Sequence, residues 1–321
     1  MIRKVLIKLF FLPLILFGQN NGESNDYNVY KDFMPSSTDS VIVHHNHYSY
    51  SFSKASKLTE WTIYFLTKER LTGNQFPRTN NFRDDPKLKY ETVNMDDYRN
   101  SGYDRGHLVP ARDMAFSKKS ISESFYISNT NPQTPRFNRG INIHVENKIR
   151  DWVIEKDSLV IITGGILNYA NNYSKEEKYF NIGNKKIPLA RILKPLPDVD
   201  QNDLNSDTSD DAIQTDVDAN EEASVAADAE IQADVDANKG HRQTIGNKRI
   251  LVPSFYYKVI IDINEKSSIA LVLPNYLMYY EDLIEYVCSI STLENLTGID
   301  FFYKLPKDLE LDFEDKHSLN D

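Results

Sequence analysis

The chain carries one cysteine, Cys288, in 321 residues. That excludes an intramolecular disulfide framework and any zinc site built on clustered thiolates. Its setting, LIEYVCSI, is apolar, so the thiol reads as a small buried hydrophobe. Long apolar runs are equally scarce. One run, residues 9–17 after a basic start, is shorter than the about 20 residues a membrane helix needs and reads as the core of a secretory signal over residues 1–18. The bulky Leu16 and Phe17 ahead of Gly18 leave the cleavage point open and allow an uncleaved anchor. No later segment is long and apolar enough to span a bilayer. Positive charge is in deficit, with 37 basic against 47 acidic residues and a net charge of −10. Taken as an average, that disfavours a polyanionic partner.

The deficit is local. Residues 198–238 hold fourteen Asp or Glu and no Lys or Arg, so the rest of the chain sums to +4. Within this stretch IQTDVDAN (213–220) returns as IQADVDAN (231–238). Asp, Ala and Asn richness with uncompensated charge predicts disorder. The Asp-x-Asp pairs lack the glycine and terminal Glu of a calcium loop. A second repeat brackets the stretch, IGNKKI (182–187) and IGNKRI (245–250). Residues 182–244 therefore read as an insertion flanked by a duplicated strand-edge motif, and surface insertions of this kind cost little closure entropy.

Outside the insertion the pattern is that of a mixed domain. WTIYFLT from Trp61, LVIITGGI from Leu159, SFYYKVIIDI from Ser254 and SIALVLP from Ser268 are rich in β-branched and aromatic residues and read as strands. HHNH at residues 44–47 precedes the alternating YSYSF and reads as the approach to an early strand rather than as a metal site. Ile141, Val145, Ile149, Trp152 and Val153 lie on one stripe of an amphipathic helix from about Asn138 to Trp152. The expected organisation is a signal (1–18), a linker (19–40), one domain (41–310) interrupted by the insertion, and an acidic tail (311–321).

Chemistry concentrates in SGYDRGHLVPARDM, residues 101–114. His107 follows a glycine in a charged, loop-like segment flanked by Arg105 and Arg112, a setting suited to a base near neutral pH. Downstream, SNTNPQTPRFN ends at Asn138, and Glu146 follows eight residues later. On one continuous helix those eight residues separate Asn138 and Glu146 by about 12 Å along the axis and about 80° around it, too far to chelate one ion directly. Asn142 lies between them on that edge.

The joint register of Asp104-Arg105-Gly106-His107, SNTNPQTPRFN and Glu146 resembles the DNA/RNA non-specific endonuclease family, which includes endonuclease G and secreted bacterial nucleases. FRDDP near Phe82, DYRNSGYDRGH, VPSFYYKV and LENLTGIDFF extend the resemblance over most of residues 45–305. It implies an α+β fold, a largely antiparallel sheet core with a ββα-metal catalytic motif. A β-hairpin-like segment carrying His107 is expected to pack against the Asn138 helix.

The resemblance further implies Mg²⁺-dependent hydrolysis of DNA and RNA phosphodiesters with little sequence preference, leaving 5′-phosphate ends, with Mn²⁺ as a stand-in metal. His107 matches the general base, Asn138 the single direct protein ligand of the metal, and Glu146 a role through metal-bound waters, with Asn142 supporting. Asp104 is expected to orient the loop and Arg105 to contact phosphate or scaffold. One position departs from the pattern: where secreted bacterial members carry a further arginine before FRDDP, this chain has Asn80. Arg78, Arg83 and Arg112 stand as candidates for substrate contact.

The expected protein is a secreted or periplasmic nuclease acting on DNA and RNA. A homodimer is compatible with this reading, and an inhibitor partner is unspecified. The rival is a catalytically weak nucleic-acid-binding or surface interaction protein that keeps the nuclease fold. A third expectation is that the acidic insertion covers the site as a tethered phosphate mimic.

Overall fold

Apolar side chains alternate along the long strands with a period of two, and both resulting faces are buried. The computed structural model describes residues 25–167, 179–182, 185–188, 244–275 and 283–315. The signal segment, most of the acidic insertion and the last residues of the acidic tail lie outside the described residues.

The strands are β1 (Val41–His44), β2 (Tyr48–Ser53), β3 (Leu58–Thr67), β4 (Asp104–His107), β5 (Thr130–Gln133), β6 (Ser158–Ile166), β7 (Tyr179–Ile182), β8 (Lys185–Pro188), β9 (Thr244–Ile245), β10 (Ile250–Leu251), β11 (Phe255–Asp262), β12 (Ser267–Pro274) and β13 (Val287–Cys288). The helices are α1 (Tyr27–Tyr30), α2 (Lys68–Thr72), α3 (Met95–Tyr98), α4 (Lys118–Ser124), α5 (Pro135–Arg139), α6 (Ile141–Lys156), α7 (Ile290–Thr297) and α8 (Lys307–Asp315).

Seven strands form an antiparallel sheet in the order β1-β2-β3-β6-β11-β12-β13. All four predicted strands belong to it, and YSYSF forms most of β2. Trp61, Ile63 and Phe65 of β3, Val160 and Ile162 of β6 and Tyr257, Val259 and Ile261 of β11 face one core, which α7, Phe301, Phe302 and Phe313 of α8 complete. Tyr64, Leu66, Leu159, Ile161, Tyr256 and Ile260 face the other core, covered by Ile141, Val145, Ile149 and Val153 of α6. A sheet covered on both sides needs apolar residues at successive positions, which is why these strands read as near-continuous apolar runs. Cys288 is buried as expected, and burial pushes its thiol up to about 12.

Three boundaries differ from the sequence reading. Residues 25–39, expected to be a linker, fold onto the sheet: Tyr30, Phe33 and Met34 enter the first core, and Asp26 accepts from both terminal nitrogens of Arg70 at 2.7 Å. The acidic tail begins inside α8, because Phe313 is buried and its carbonyl accepts from Ser268. The helix expected over 138–152 instead runs Ile141–Lys156, with Asn138 in the separate α5 and a break at Gly140.

The two copies of the bracketing repeat both lie in hairpins, β7–β8 and β9–β10. In the second, Gly246 adopts φ +63°, and a side chain there would overlap Asp97. The HHNH histidines are structural. His45 Nε2 lies 2.8 Å from Asp85 Oδ2 and His47 Nδ1 lies 3.1 Å from Asp26 Oδ2, each histidine buried against its own carboxylate.

Candidate active site

Asp104-Arg105-Gly106-His107 is not a loop. It forms β4, paired antiparallel with β5 so that His107 faces Thr130 and Asp104 faces Gln133. The pair is not a tight hairpin either, since the turn Ala111–Met114, helix α4 and the turn Ile127–Asn129 lie between its strands. Asn129 fastens the exit of β4: its Oδ1 accepts from Val109 N at 3.0 Å and its Nδ2 donates to Val109 O at 2.9 Å. Gly106 is required by close approach, because a side chain there would overlap the buried Gln133.

The α5 segment is set by local rules. Thr134 Oγ1 accepts from Phe137 N at 3.1 Å and Pro135 opens the helix, both favoured at a helix start. Phe137 anchors the turn by stacking on Tyr256, with ring centroids 5.1 Å apart. The next residue, Asn138, donates from Nδ2 to Asp104 Oδ2 at 2.9 Å. Arg139 closes a fork on the same carboxylate, Nε to Oδ2 and Nη2 to Oδ1, both 2.9 Å. Asp104 therefore orients the Asn138 amide rather than a loop, and with the amide nitrogen so engaged the Asn138 oxygen is left available.

His107 is half-buried between Phe125, edge-on at 4.9 Å, and Phe82 at 5.4 Å. Its Nε2 is buried without a hydrogen-bond partner among the described residues. Two guanidiniums border this aromatic cage, Arg78 over Phe125 at 5.1 Å and Arg105 over Phe82 at 4.4 Å. Burial, then the charges of Arg78 and Arg105, lower the imidazole to about 3. At neutral pH it is uncharged and able to take a proton.

The candidate arginines thus separate. Arg78 acts on His107. Arg83 instead donates to Ser122 O at 2.8 Å and lies over Tyr126 at 4.2 Å, a scaffold role. Asn80 is exposed with φ +47°, and Arg112 is exposed on the turn Ala111–Met114.

On α6, Glu146 Oε1 accepts from Asn142 Nδ2 at 3.0 Å, so Asn142 does support it. Glu146 Oε2 accepts from Arg150 at 3.3 Å. Arg150 in turn donates to the buried Asp113 at 2.6 Å, and Tyr64 OH donates to Asp113 at 2.8 Å. Beneath lies Lys258, 2% exposed, with Nζ 3.4 Å from Thr163 Oγ1. Burial raises the Glu146 pKa, against the opposing charges of Lys258 and Arg150. For Arg150, burial works against the charge, but Asp113 and Glu146 outweigh it and raise its pKa. Arg150, Asp113 and Lys258 escaped the sequence reading. Arg150 alone left a local signal, its position one helical turn beyond Glu146.

Among the described residues no three His, Cys, Asp or Glu gather as a metal cage. A hard divalent cation held by a single amide oxygen would keep much of its water shell. The oriented Asn138 oxygen is a donor of that kind, and Glu146 stands on the next helix.

A sheet-backed strand pair bearing a neutral histidine, joined through Asp104 to a metal-competent asparagine helix, defines the ββα-metal nuclease class of fold. The family model for "DNA/RNA non-specific endonuclease" matches residues 25–308, and the chain belongs to that family. Human mitochondrial endonuclease G is 34% identical over 105 residues, 32% of this chain and 35% of that protein. Mouse mitochondrial nuclease EXOG is 23% identical over 276 residues, 83% of this chain and 58% of that protein, and the Danio rerio protein is 27% identical over 264 residues. The matches thus span between about a third and three-fifths of these relatives' length. The fold is shared with a chain in the crystal structure of an EndoG/EndoGI complex, with TM-score 0.61, 19% identity, and 90% of this chain and 96% of that one covered.

Proposed function

We propose that this protein is a metal-dependent endonuclease that cleaves DNA and RNA phosphodiesters with little sequence preference. The observation that carries the reading is the Asp104–Asn138 hydrogen bond, which locks the strand of the neutral base to the helix of the candidate metal ligand. His107 accepts the proton of the attacking water as its oxygen bonds to phosphorus, while the P–O bond to the departing sugar oxygen breaks and that alkoxide takes a proton from solvent. Arg78 and Arg105 offset charge on the phosphate, as cations beside a developing anion do. Asn138 would hold a divalent ion such as Mg²⁺ through its amide oxygen, and the ion would supply charge neutralisation and water activation there. Glu146, held by Asn142 and Arg150, would accept from waters carried by that ion. Contacts of this type read backbone rather than bases, hence the weak sequence preference.

The test is degradation of plasmid DNA and of RNA by the purified chain in Mg²⁺ and in Mn²⁺, with EDTA controls, beside His107→Ala and Asn138→Ala. Wild type is expected to degrade both substrates and the variants neither. Intact substrates in both metals would refute the enzyme reading and favour the binding-protein rival. The basic-then-apolar start supports export to the periplasm or medium, checked by N-terminal sequencing of the protein recovered outside the cytoplasm.

A further inference from the structure

An open groove of about 300 Å³ lies between residues 40–43, which include the first three residues of edge strand β1, and residues 87–90. Its lining pairs an aromatic with cations. Tyr90 is 47% exposed, unusual for so large a ring. One side of that ring stacks on the buried Phe52 with an interplanar angle of 17°, and Lys54 Nζ stands 5.3 Å from its centroid. The ring is thus braced on one side by Phe52 and has the flexible Lys54 ammonium over it, a cation that swings aside for a base to stack. Lys87 and Lys89 line the same groove, and Lys87 Nζ reaches the His44 carbonyl at 2.6 Å. Next along the chain, Lys57 and Lys248 share the Glu91 carboxylate at 2.8 and 3.2 Å, so that trio keeps one net positive charge.

The segment that lines the groove leads along the chain toward the candidate active site. The chain passes from Tyr90 to Met95, whose sulfur accepts from Arg105 at 3.8 Å. Five residues span at most about 18 Å. At the about 3.4 Å per nucleotide of a stacked strand, that is about five nucleotides.

We propose that the groove is a second nucleic-acid site, which holds one strand with a base stacked on Tyr90 and phosphates on Lys54, Lys87 and Lys89, several nucleotides from the scissile bond. The proposal rests on the nuclease reading above. A braced, exposed aromatic among lysines is a composition that binds single strands without sequence preference.

The probes are an oligothymidylate of about 20 nucleotides, longer than sites of this type, and a thymidine dinucleotide too short to reach both places. Binding is measured in a His107→Ala background and cleavage in the otherwise native protein. Tyr90→Ala is expected to weaken binding of the long strand roughly tenfold. Lys87→Gln with Lys89→Gln is expected to flatten the slope of log affinity against log salt by about 1.4, at about 0.7 per cation. Tyr90→Phe and Lys89→Arg should keep native affinity, and dinucleotide cleavage should be unchanged throughout.

Unchanged affinity and salt slope would overturn the proposal. So would an equal loss for both probes, a lowered melting temperature that accounts for the loss, or an effect confined to duplex. A wild type that binds the long strand but cleaves nothing would sink the nuclease reading instead, leaving the binding arms to decide the groove.

Discussion

Replacing Asp104 by Ala isolates the element that assembles the candidate site. The native carboxylate accepts three hydrogen bonds, one from Asn138 and two from Arg139, all at 2.9 Å. In Asp104→Ala no acceptor remains at this position for any of the three donors. Arg139 is 46% exposed, so its pair contributes no more than about 1 kcal/mol. The Asn138 bond, charge-assisted and part-buried, adds about 1–2 kcal/mol. The expected loss of stability is therefore about 2 kcal/mol, small enough to leave the protein folded at 25 °C.

The functional effect should be larger. An Asn138 amide no longer held by Asp104 can rotate its oxygen away, and loss of such supporting partners typically costs about 10- to 100-fold in metal affinity. The assay is plasmid cleavage rate against Mg²⁺ concentration, with thermal melting measured in parallel. Half-maximal activation should move to at least about tenfold higher Mg²⁺, and saturating metal should restore much of the rate. A native activation curve beside the expected melting shift would show that Asp104 serves the fold alone, and the argument from its hydrogen bonds would fail.

Arg150→Met should destabilise the protein by about 3–5 kcal/mol in denaturant unfolding, since it removes the guanidinium that the buried Asp113 and Glu146 carboxylates share. Removing Asp113 in the same chain should recover part of that loss. Gly106→Ala should lower both melting temperature and activity, costing about 1–3 kcal/mol as Gln133 is displaced. Asp85 is held at about 2 by His45, Lys87 N and Tyr50 despite burial. Its folded pKa lies below the unfolded value of 3.8, so its stabilisation is full above pH 4 and is lost as pH falls toward 2. The loss is about 2 kcal/mol, and Asp85→Asn should erase that part of the acid denaturation curve. Because His107 titrates near 3 rather than 6.5, native protein should show no activity loss assignable to this histidine between pH 7 and 5. Replacing Arg78 by Gln should raise that acid limb, as the pH–rate profile would report.

The four long strands, the α6 stripe and the register from Asp104 through Asn138 to Glu146 were legible in the sequence because each rests on local order. Alternation, helical spacing and short motif distances are carried by neighbouring residues. Even there, locality misled where a single residue changes direction. Gly140 divides the expected helix, so the continuous-helix separation of Asn138 from Glu146 does not apply.

What no stretch of sequence carried is which distant groups meet. Arg78 and Arg83 are equally plausible by position, yet one stands on the cage of His107 and the other is tied to Ser122. Asp113 lies 37 residues from Arg150 and Lys258 lies across the sheet, and only chain packing makes them one buried network with Glu146. The N-terminal segment looks like a polar linker until Tyr30 and Phe33 are seen in the core. Sequence determined the chemical vocabulary of this protein and the spacing of its motif. Tertiary structure decided which charges are buried together, and desolvation at those places sets their strength.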